Sequence, residues 1–366
     1  MKKLGVLVLS EPRNGGSYQY TLSMLEALKL CKELNVTLYT NFNNPHYDSI
    51  GFYVNHVHAS PNRWPAMLLK YFVKIKAKDP FHEENIVLAP MYSPLLLLTQ
   101  KPFIYTLHDL QEHHFPKNFS FFQRTYRKGL NYLLLKKAYR IICESEFVRE
   151  DIKLFFGVAE KKIITITAPP IEISSNEYSP VQLLEIKTKY SLPEQYIFYP
   201  AQFWVHKNHI RLVEAFASIA DQFPEASLVF TGQKSDHYEH VFKRVAELDL
   251  SKRVIHTGYV DQSDLSGLYI SATVLVMPSL FESVSIPIYE AFQYEVAVCS
   301  SNVVALPEQV GDAGLLFDPL STREIGEAIS KLLGSEELRK KFTRAGKLRL
   351  SEMTLEKYAK QLEALF

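Results

Sequence analysis

From its N-terminus the chain alternates short apolar runs with longer stretches of helical spacing. LGVLVLS (4–10) is an unbroken apolar run, the composition of a strand buried on both faces of a sheet. EPRNGGS follows as a loop. Tyr18, Leu22, Leu25 and Leu28 then recur three or four residues apart, the period of a helix that buries one face. NVTLYT (35–40), NIVLAP (85–90), FIYTLH (103–108), RIICES (140–145) and IITITA (163–168) predict further strands, short and partly β-branched, with helical patterns between several of them. The rhythm stops at APPIEISSNEYSP (168–180), where Pro, Ser and Asn cluster as in a linker. It resumes with QYIFYPAQ (195–202), SLVFTGQ (227–233), RVIHTGYV (253–260), TVLVMPS (273–279) and AVCSSN (297–302) as strands. HIRLVEAFASIADQF and HYEHVFKRVAELDL read as helices between them, and TLEKYAKQLEALF (354–366) as a last helix with Leu355, Tyr358, Leu362 and Phe366 on one face. Strands alternating with helices imply parallel sheets covered on both faces. The expected fold class is therefore α/β, with two doubly wound parallel-sheet domains in tandem, residues 1–175 and 176–350.

Charge narrows the function classes. A net charge of +1 speaks against a protein that is basic throughout and grips nucleic acid. The imbalance is local: no Asp or Glu occurs from His113 to Cys143, whereas Lys117, Arg124, Arg127, Lys128, Lys136, Lys137 and Arg140 do, interleaved with Phe115, Phe119, Phe121, Phe122, Tyr126, Tyr132 and Tyr139. A second acid-free stretch, 49–78, holds Arg63, Trp64, Lys70, Tyr71, Phe72, Lys74, Lys76 and Lys78. Basic and aromatic residues together suit an anionic membrane surface, where each nearby cation contributes about 1 kcal/mol. Solvated helix faces over core aromatics fit the same pattern. Cys31, Cys143 and Cys299 are too far apart for a CxxC site and give no disulfide framework. The apolar run at the N-terminus is about five residues, short of the roughly 7–15 of a secretory signal, so a first strand in a cytoplasmic protein is expected.

In open parallel sheets, ligands sit beyond the C-terminal ends of the strands, and two such sheets facing each other would form one cleft. The unusual residues fall at those ends. PSLFESVSIPIYEAF (278–292) places Glu282 before a helix start and Glu290 within it, with Pro287 suited to the first turn and Ser283 or Ser285 able to cap. Free amides at 284–286 would favour a phosphate there, and Glu290 would suit a ribose diol. A helix start whose acids merely answer the dipole is the plainer alternative. FYPAQFWVHKNHI (198–210) brings Lys207 to another helix start, with Asn208 as the expected cap, and equally fits a basic surface loop. Gly15-Gly16 allows close backbone approach to an anion or simply a tight turn, and is not the GxGxxG fingerprint. His108 and Asp109 stand at a strand end, placed for a sugar hydroxyl or for a bond within their own loop. His206 and His209 lack the carboxylate or cysteine company of a metal site. No DxD occurs, so no metal is expected at a diphosphate and no cofactor is called for.

These segments resemble the retaining nucleotide-sugar glycosyltransferases of the GT-B fold, specifically glycosyltransferase family 4. The first constellation is similar to the family's E-x7-E motif, PSxxEGFGLPxxEA; the second, to a phosphate loop ending in HKN. NVVALPEQVGDAGLLFDP (302–319) resembles the stretch S-LPEVVGDAALLFDP, and GYVDQSDLSGLYISA (258–272) the segment before the motif. The likeness is strong over 195–320 and weaker before it. It implies two Rossmann-like domains facing an interdomain cleft, with 351–366 crossing back to the first. It implies donor contacts from Lys207, Gln202, Glu290, Val284, Ser285, Val260, Gly15 and Gly16, and catalytic contacts to the sugar or reacting groups from Glu282 and His108. The activity implied is transfer of a sugar, with retention, from a UDP-, GDP- or dTDP-sugar to a glycan or lipid-linked acceptor in bacterial surface polysaccharide synthesis, at the inner face of the cell membrane. Two departures stand out. Ala201-Gln202 replaces a common Gly-Arg, removing one diphosphate cation, and Ser283-Val284-Ser285 replaces Gly-Phe-Gly, adding Cβ atoms that restrict the turn. A nucleotide-sugar epimerase or phosphorylase, or a binding protein without turnover, would present the same pattern.

Overall fold

A computed structural model describes residues 1–11, 15–57, 79–171 and 178–366. Arg63, Trp64 and the other residues named in the second basic-aromatic stretch lie outside these, as does much of the expected linker. The chain divides into two compact units, Met1–Ile171 with Met353–Phe366, and Glu172–Glu352.

Unit 1 is built on a seven-stranded sheet, every neighbouring pair parallel, in the order β3-β2-β1-β4-β5-β6-β7. The strands are β1 Lys2–Leu7, β2 Leu34–Thr40, β3 Tyr53–His56, β4 Ile86–Ala89, β5 Phe103–Thr106, β6 Arg140–Cys143 and β7 Ile163–Thr165. β4 and β5 are buried at every residue, which is why they read as continuous apolar runs. β3 is the strand that sequence reading missed. It lies at the sheet edge with none of its four residues buried, so no apolar run marks it. Helix Gly16–Leu30 buries Tyr18, Met24, Leu25 and Leu28 on one face of the sheet. The last helix, Leu355–Glu363, joins the same core through Tyr358, Ala359 and Leu362. On the other face lies the helix Phe121–Lys137, with Leu130, Leu134 and Leu135 buried.

That helix shows how a charge count misleads. Arg127 belongs to the acid-free stretch, yet its guanidinium pairs with Asp109 and with the fully buried Glu112, both at 2.9 Å, and stacks over Phe119. Lys137 donates to the carbonyls of Leu97 and Thr99. These two cations serve the fold rather than a surface.

Unit 2 holds a six-stranded parallel sheet, β10-β9-β8-β11-β12-β13. Its strands are β8 Gln195–Pro200, β9 Ala226–Thr231, β10 Val254–His256, β11 Val274–Met277, β12 Ala297–Ser301 and β13 Gly314–Phe317. β13, again an edge strand, has one buried residue of four and was not predicted. The central strands β8 and β11 end side by side, so the loops that leave them share one corner. No helix of the described residues is long and apolar enough to cross a membrane.

Candidate functional site

β8 supplies half of that corner. After Pro200 the loop 201–204 enters a single 3-10 turn, Val205–Lys207, and helix His209–Ile219 begins beyond Asn208. Asn208 does not cap this helix, contrary to the sequence reading. Its backbone sits in the left-handed region (φ 61°, ψ 31°), where Asn is tolerated but the extended geometry of a capping residue is lost. The buried side chain instead donates to the carbonyls of Pro278 and Pro319, at 2.9 and 2.8 Å, tying the β8 loop to the loops after β11 and β13. The neighbouring His209 is an aromatic core residue: its ring stacks on Phe203 at 4.4 Å and packs against Tyr199 at 4.7 Å. Burial, with Lys207 adding, pulls its pKa down to about 3, so the ring stays neutral. Gln202 is half-buried at the start of this loop. Beside it Gly232 has φ 122°, and a Cβ there would lie 2.9 Å from the Ala201 carbonyl oxygen, so the loop has room only for glycine.

The other half follows β11. Lys207 Nζ donates to Glu282 Oε1, and the buried Ser279 hydroxyl donates to the same oxygen at 2.9 Å. The Tyr199 hydroxyl donates to the Lys207 carbonyl at 2.8 Å, and the Leu280 amide to the His206 carbonyl at 2.8 Å. The two loops are thus stitched together, and the ion pair is mostly shielded, with side chains 17% and 13% exposed. Shielding preserves the attraction that water would screen at an open surface.

Helix Ile286–Gln293 opens next, with Pro287 in its first turn and Ser285 at the N-cap position. Ser285 has φ −110°, ordinary extended backbone, so replacing the family's glycine costs no strain here. Two expectations need correction. The Ser285 hydroxyl is buried and caps nothing. Nor is the Ser285 amide free: it donates to Gln309 Oε1 at 2.9 Å, while Gln309 Nε2 donates to the Ser285 carbonyl at 2.7 Å. Two amides, of Val284 and Ile286, keep no partner among the described residues. Glu290, one turn further, is buried and accepts the Tyr269 hydroxyl at 2.6 Å. Burial, then Glu290, pushes the Tyr269 phenol well up, so it remains a donor. Val260 is buried as well.

The remaining predicted residues belong to unit 1. Gly15 precedes helix Gly16–Leu30 at φ 55°, a conformation that favours glycine, and Gly16 is exposed beside it. His108 follows β5. Its Nε2–H donates to the Pro90 carbonyl and Nδ1 faces Glu144 Oε2, each at 2.8 Å, while Tyr20 packs edge-on at 4.8 Å. Burial alone would lower its pKa, but Glu144, the Pro90 carbonyl and Asp109 together hold it above the ordinary histidine value. Both ring nitrogens are engaged, so contact with a sugar hydroxyl requires one of these bonds to open.

Residues 184–349 match the family model described as glycosyl transferases group 1, and residues 14–168 match that of glycosyltransferase family 4. The chain belongs to glycosyltransferase family 4. Among curated relatives, the serotype-specific mannosyltransferase WbdA of Escherichia coli is 26% identical over 55% of this chain and 25% of its own length. The O-antigen chain mannosyltransferase B of Escherichia coli is 28% identical over 66% of this chain and 64% of its own. The chain thus spans about a quarter of the first relative and under two thirds of the second. Anabaena Alr3699/HepE, solved in complex with UDP and glucose, superposes with a TM-score of 0.77 over 99% of this chain and 98% of its own, at 15% identity. That likeness establishes the GT-B fold, two Rossmann-like units.

Within this family-4 chain, sequence reading missed the residues that hold the site rather than form it. Glu144 was legible as the acid closing the apolar run of β6, a strand end like the others. Tyr269 and Gln309 carried no signal, because a helix residue's partner 21 or 24 positions away is set by packing.

Proposed function

We propose that the protein transfers a glycosyl group, with retention, from a nucleoside diphosphate sugar to an acceptor hydroxyl in bacterial surface polysaccharide synthesis. The observation that carries this reading is the convergence at one corner of unit 2 of the Lys207 ammonium, Glu282, two unpartnered amides and buried Glu290. The diphosphate takes the Lys207 charge and the amides of Val284 and Ile286, with Gln202 beside them. Glu290 accepts the ribose hydroxyls and Val260 flanks the base. The Lys207–Glu282 pair opens as the diphosphate arrives, freeing Glu282 to meet the sugar and the positive charge that develops at its anomeric carbon. The C1–oxygen bond breaks with its electron pair on the diphosphate. The acceptor oxygen bonds C1 on the same face, and its proton passes to the departing phosphate oxygen. Fixed positive groups at the leaving diphosphate supply most of the stabilisation. Unit 1, taken by itself, need supply only a His108 that gives up its Pro90 bond to take a sugar hydroxyl and an exposed Gly15-Gly16 backbone open to a phosphate or an acceptor.

The named relatives make mannosyl donors the first to test, and a thermal-shift screen of UDP-, GDP- and dTDP-sugars identifies the base. Lys207→Ala and Glu290→Ala should each lower kcat/KM at least about a hundredfold, roughly 2.7 kcal/mol. Parent-like turnover in both would overturn the site assignment. Product analysis with and without acceptor separates transfer from epimerisation, phosphorolysis and binding alone. Because Lys207 and amides neutralise the diphosphate, transfer should persist in EDTA; abolition by EDTA, restored by a divalent cation, would refute a metal-free site.

The acceptor is proposed to be lipid-linked, at an anionic membrane. Support comes from helix Phe121–Lys137, whose first two residues are 67% and 83% exposed. Lys117, Arg124, Lys128 and Lys136 around it have no acidic partner among the described residues.

A further inference from the structure

The segment 302–310 braces the turn that opens helix Ile286–Gln293. The Ala305 amide donates to the Glu282 carbonyl at 3.4 Å. Gln309, four residues on, grips the Ser285 peptide at both its amide and its carbonyl. Gln309 is itself buried, and its peptide is held from behind: Arg349 donates to the carbonyls of Gln309 and Glu308 at 3.2 and 2.7 Å. The family stretch that this segment resembles carries valine where Gln309 stands, and the family motif carries glycine where Ser285 stands. A primary amide can donate and accept at once; valine can do neither. This chain has therefore exchanged a small, flexible turn for one clamped by a side chain.

We propose that Gln309 is the positioning residue of the donor site: its two-point clamp on Ser285 holds the helix start so that the amides of Val284 and Ile286 stay aimed at the diphosphate. The inference rests on the donor-site reading above. Gln309 touches no substrate in it and acts through Ser285. Without the clamp, the buried Ser285 amide loses its partner and the Ser285 carbonyl keeps only the Ile288 amide at 3.2 Å, so the turn reorganises and the two aimed amides disperse.

The test is calorimetric titration of the full chain with UDP, GDP and dTDP and with the matching nucleosides. The parent should bind at least one diphosphate. Gln309→Val should bind that diphosphate about tenfold more weakly, equivalent to about 1.4 kcal/mol, with nucleoside affinity unchanged within about twofold. In turnover, KM for the donor should rise more than kcat falls. Gln309→Glu adds a signature that loss of stability alone cannot mimic. An ionised carboxylate cannot donate to the Ser285 carbonyl, whereas the protonated acid both donates and accepts. Its deficit should therefore shrink as pH falls from about 8.5 to about 5.5, while that of Gln309→Val stays constant. The charged groups on the adjoining segments, Glu282, Glu308, Asp312 and Arg349, are common to both variants and cancel in the comparison. Diphosphate binding within twofold of the parent in both variants, or equal loss of diphosphate and nucleoside binding, would overturn the role of Gln309 and leave the donor site standing. A parent that binds none of the three diphosphates would instead remove the donor-site reading, and this inference with it.

Discussion

Two histidines show how environment assigns opposite roles to one residue type. His209 is buried among aromatic rings and stays neutral, with its pKa near 3. Between the ordinary value of 6.5 and about 3 the unfolded chain binds a proton that the native state refuses, so stability falls as pH falls, by about 1.4 kcal/mol per pH unit. His209→Phe should keep the stacking and remove this loss. The prediction is a smaller drop in melting temperature between pH 7 and pH 4.5 than in the parent; equal drops would show that His209 is not the acid-sensitive group. His108 has the reverse sign. Its raised pKa means that the native state holds the proton longer, so its stabilisation is complete below 6.5 and fades as pH rises through the raised value. In His108→Gln the melting temperature should fall below the parent's at pH 6 and approach it at pH 9. A deficit independent of pH would mean that the charge on His108 contributes nothing to stability.

At the scale of elements, the sites stand where strands end and helices begin, and what differs is how each junction is closed. Helix Phe121–Lys137 starts with a capping box, Ser120 with Gln123. The stability of its start therefore does not depend on the two phenylalanines that follow, which leaves Phe121 and Phe122 free to be exposed. If they insert into a bilayer, Phe121→Ser with Phe122→Ser should reduce co-sedimentation with vesicles of 30% anionic lipid by about tenfold, and Lys117→Gln with Lys128→Gln should weaken the salt dependence of the residual binding, with Arg124 and Lys136 keeping part of it. Unchanged sedimentation in the phenylalanine pair would leave the helix a solvated face. At the β8 junction, Asn208→Ala removes both carbonyl contacts and places a residue with a Cβ but no compensating side-chain bond at φ 61°. A loss of about 2–4 kcal/mol in a denaturant titration follows, against near-parent stability if the two loops hold without it.

For the molecule as a whole, the division into units does not follow chain order. The final helix closes the core of unit 1, where Tyr358 and Leu362 are fully buried against the helix Gly16–Leu30, more than three hundred residues earlier. Leu362→Ala should destabilise unit 1 by about 2–5 kcal/mol while leaving unit 2 intact. Differential scanning calorimetry of a chain with two such units should then show one transition lowered and one unmoved; a common shift would mean that the units unfold together.

The local pattern determined much. Buried strands such as β4, β5 and β11 are continuous apolar runs because both faces of a parallel sheet are covered, and a run of this kind is visible without any knowledge of its partners. Edge strand β3 escaped for the same reason in reverse, since exposed residues need not be apolar. β13, GLLF, is apolar but only four residues long, and it lay inside the stretch 302–319 that was read as a motif. The motif residues Lys207, Glu282 and Glu290 were legible because helix starts and strand ends are local features. Their partners were not. Arg127 is spent on Glu112, His108 on Glu144 and Ser285 on Gln309, across 15, 36 and 24 residues. Such pairings depend on which loops the sheet order brings to one corner. Hydrogen bonds and ion pairs act over a few ångströms of space, whereas sequence records only separation along the chain, so the tertiary structure alone decided which charges and amides remain free to meet a ligand.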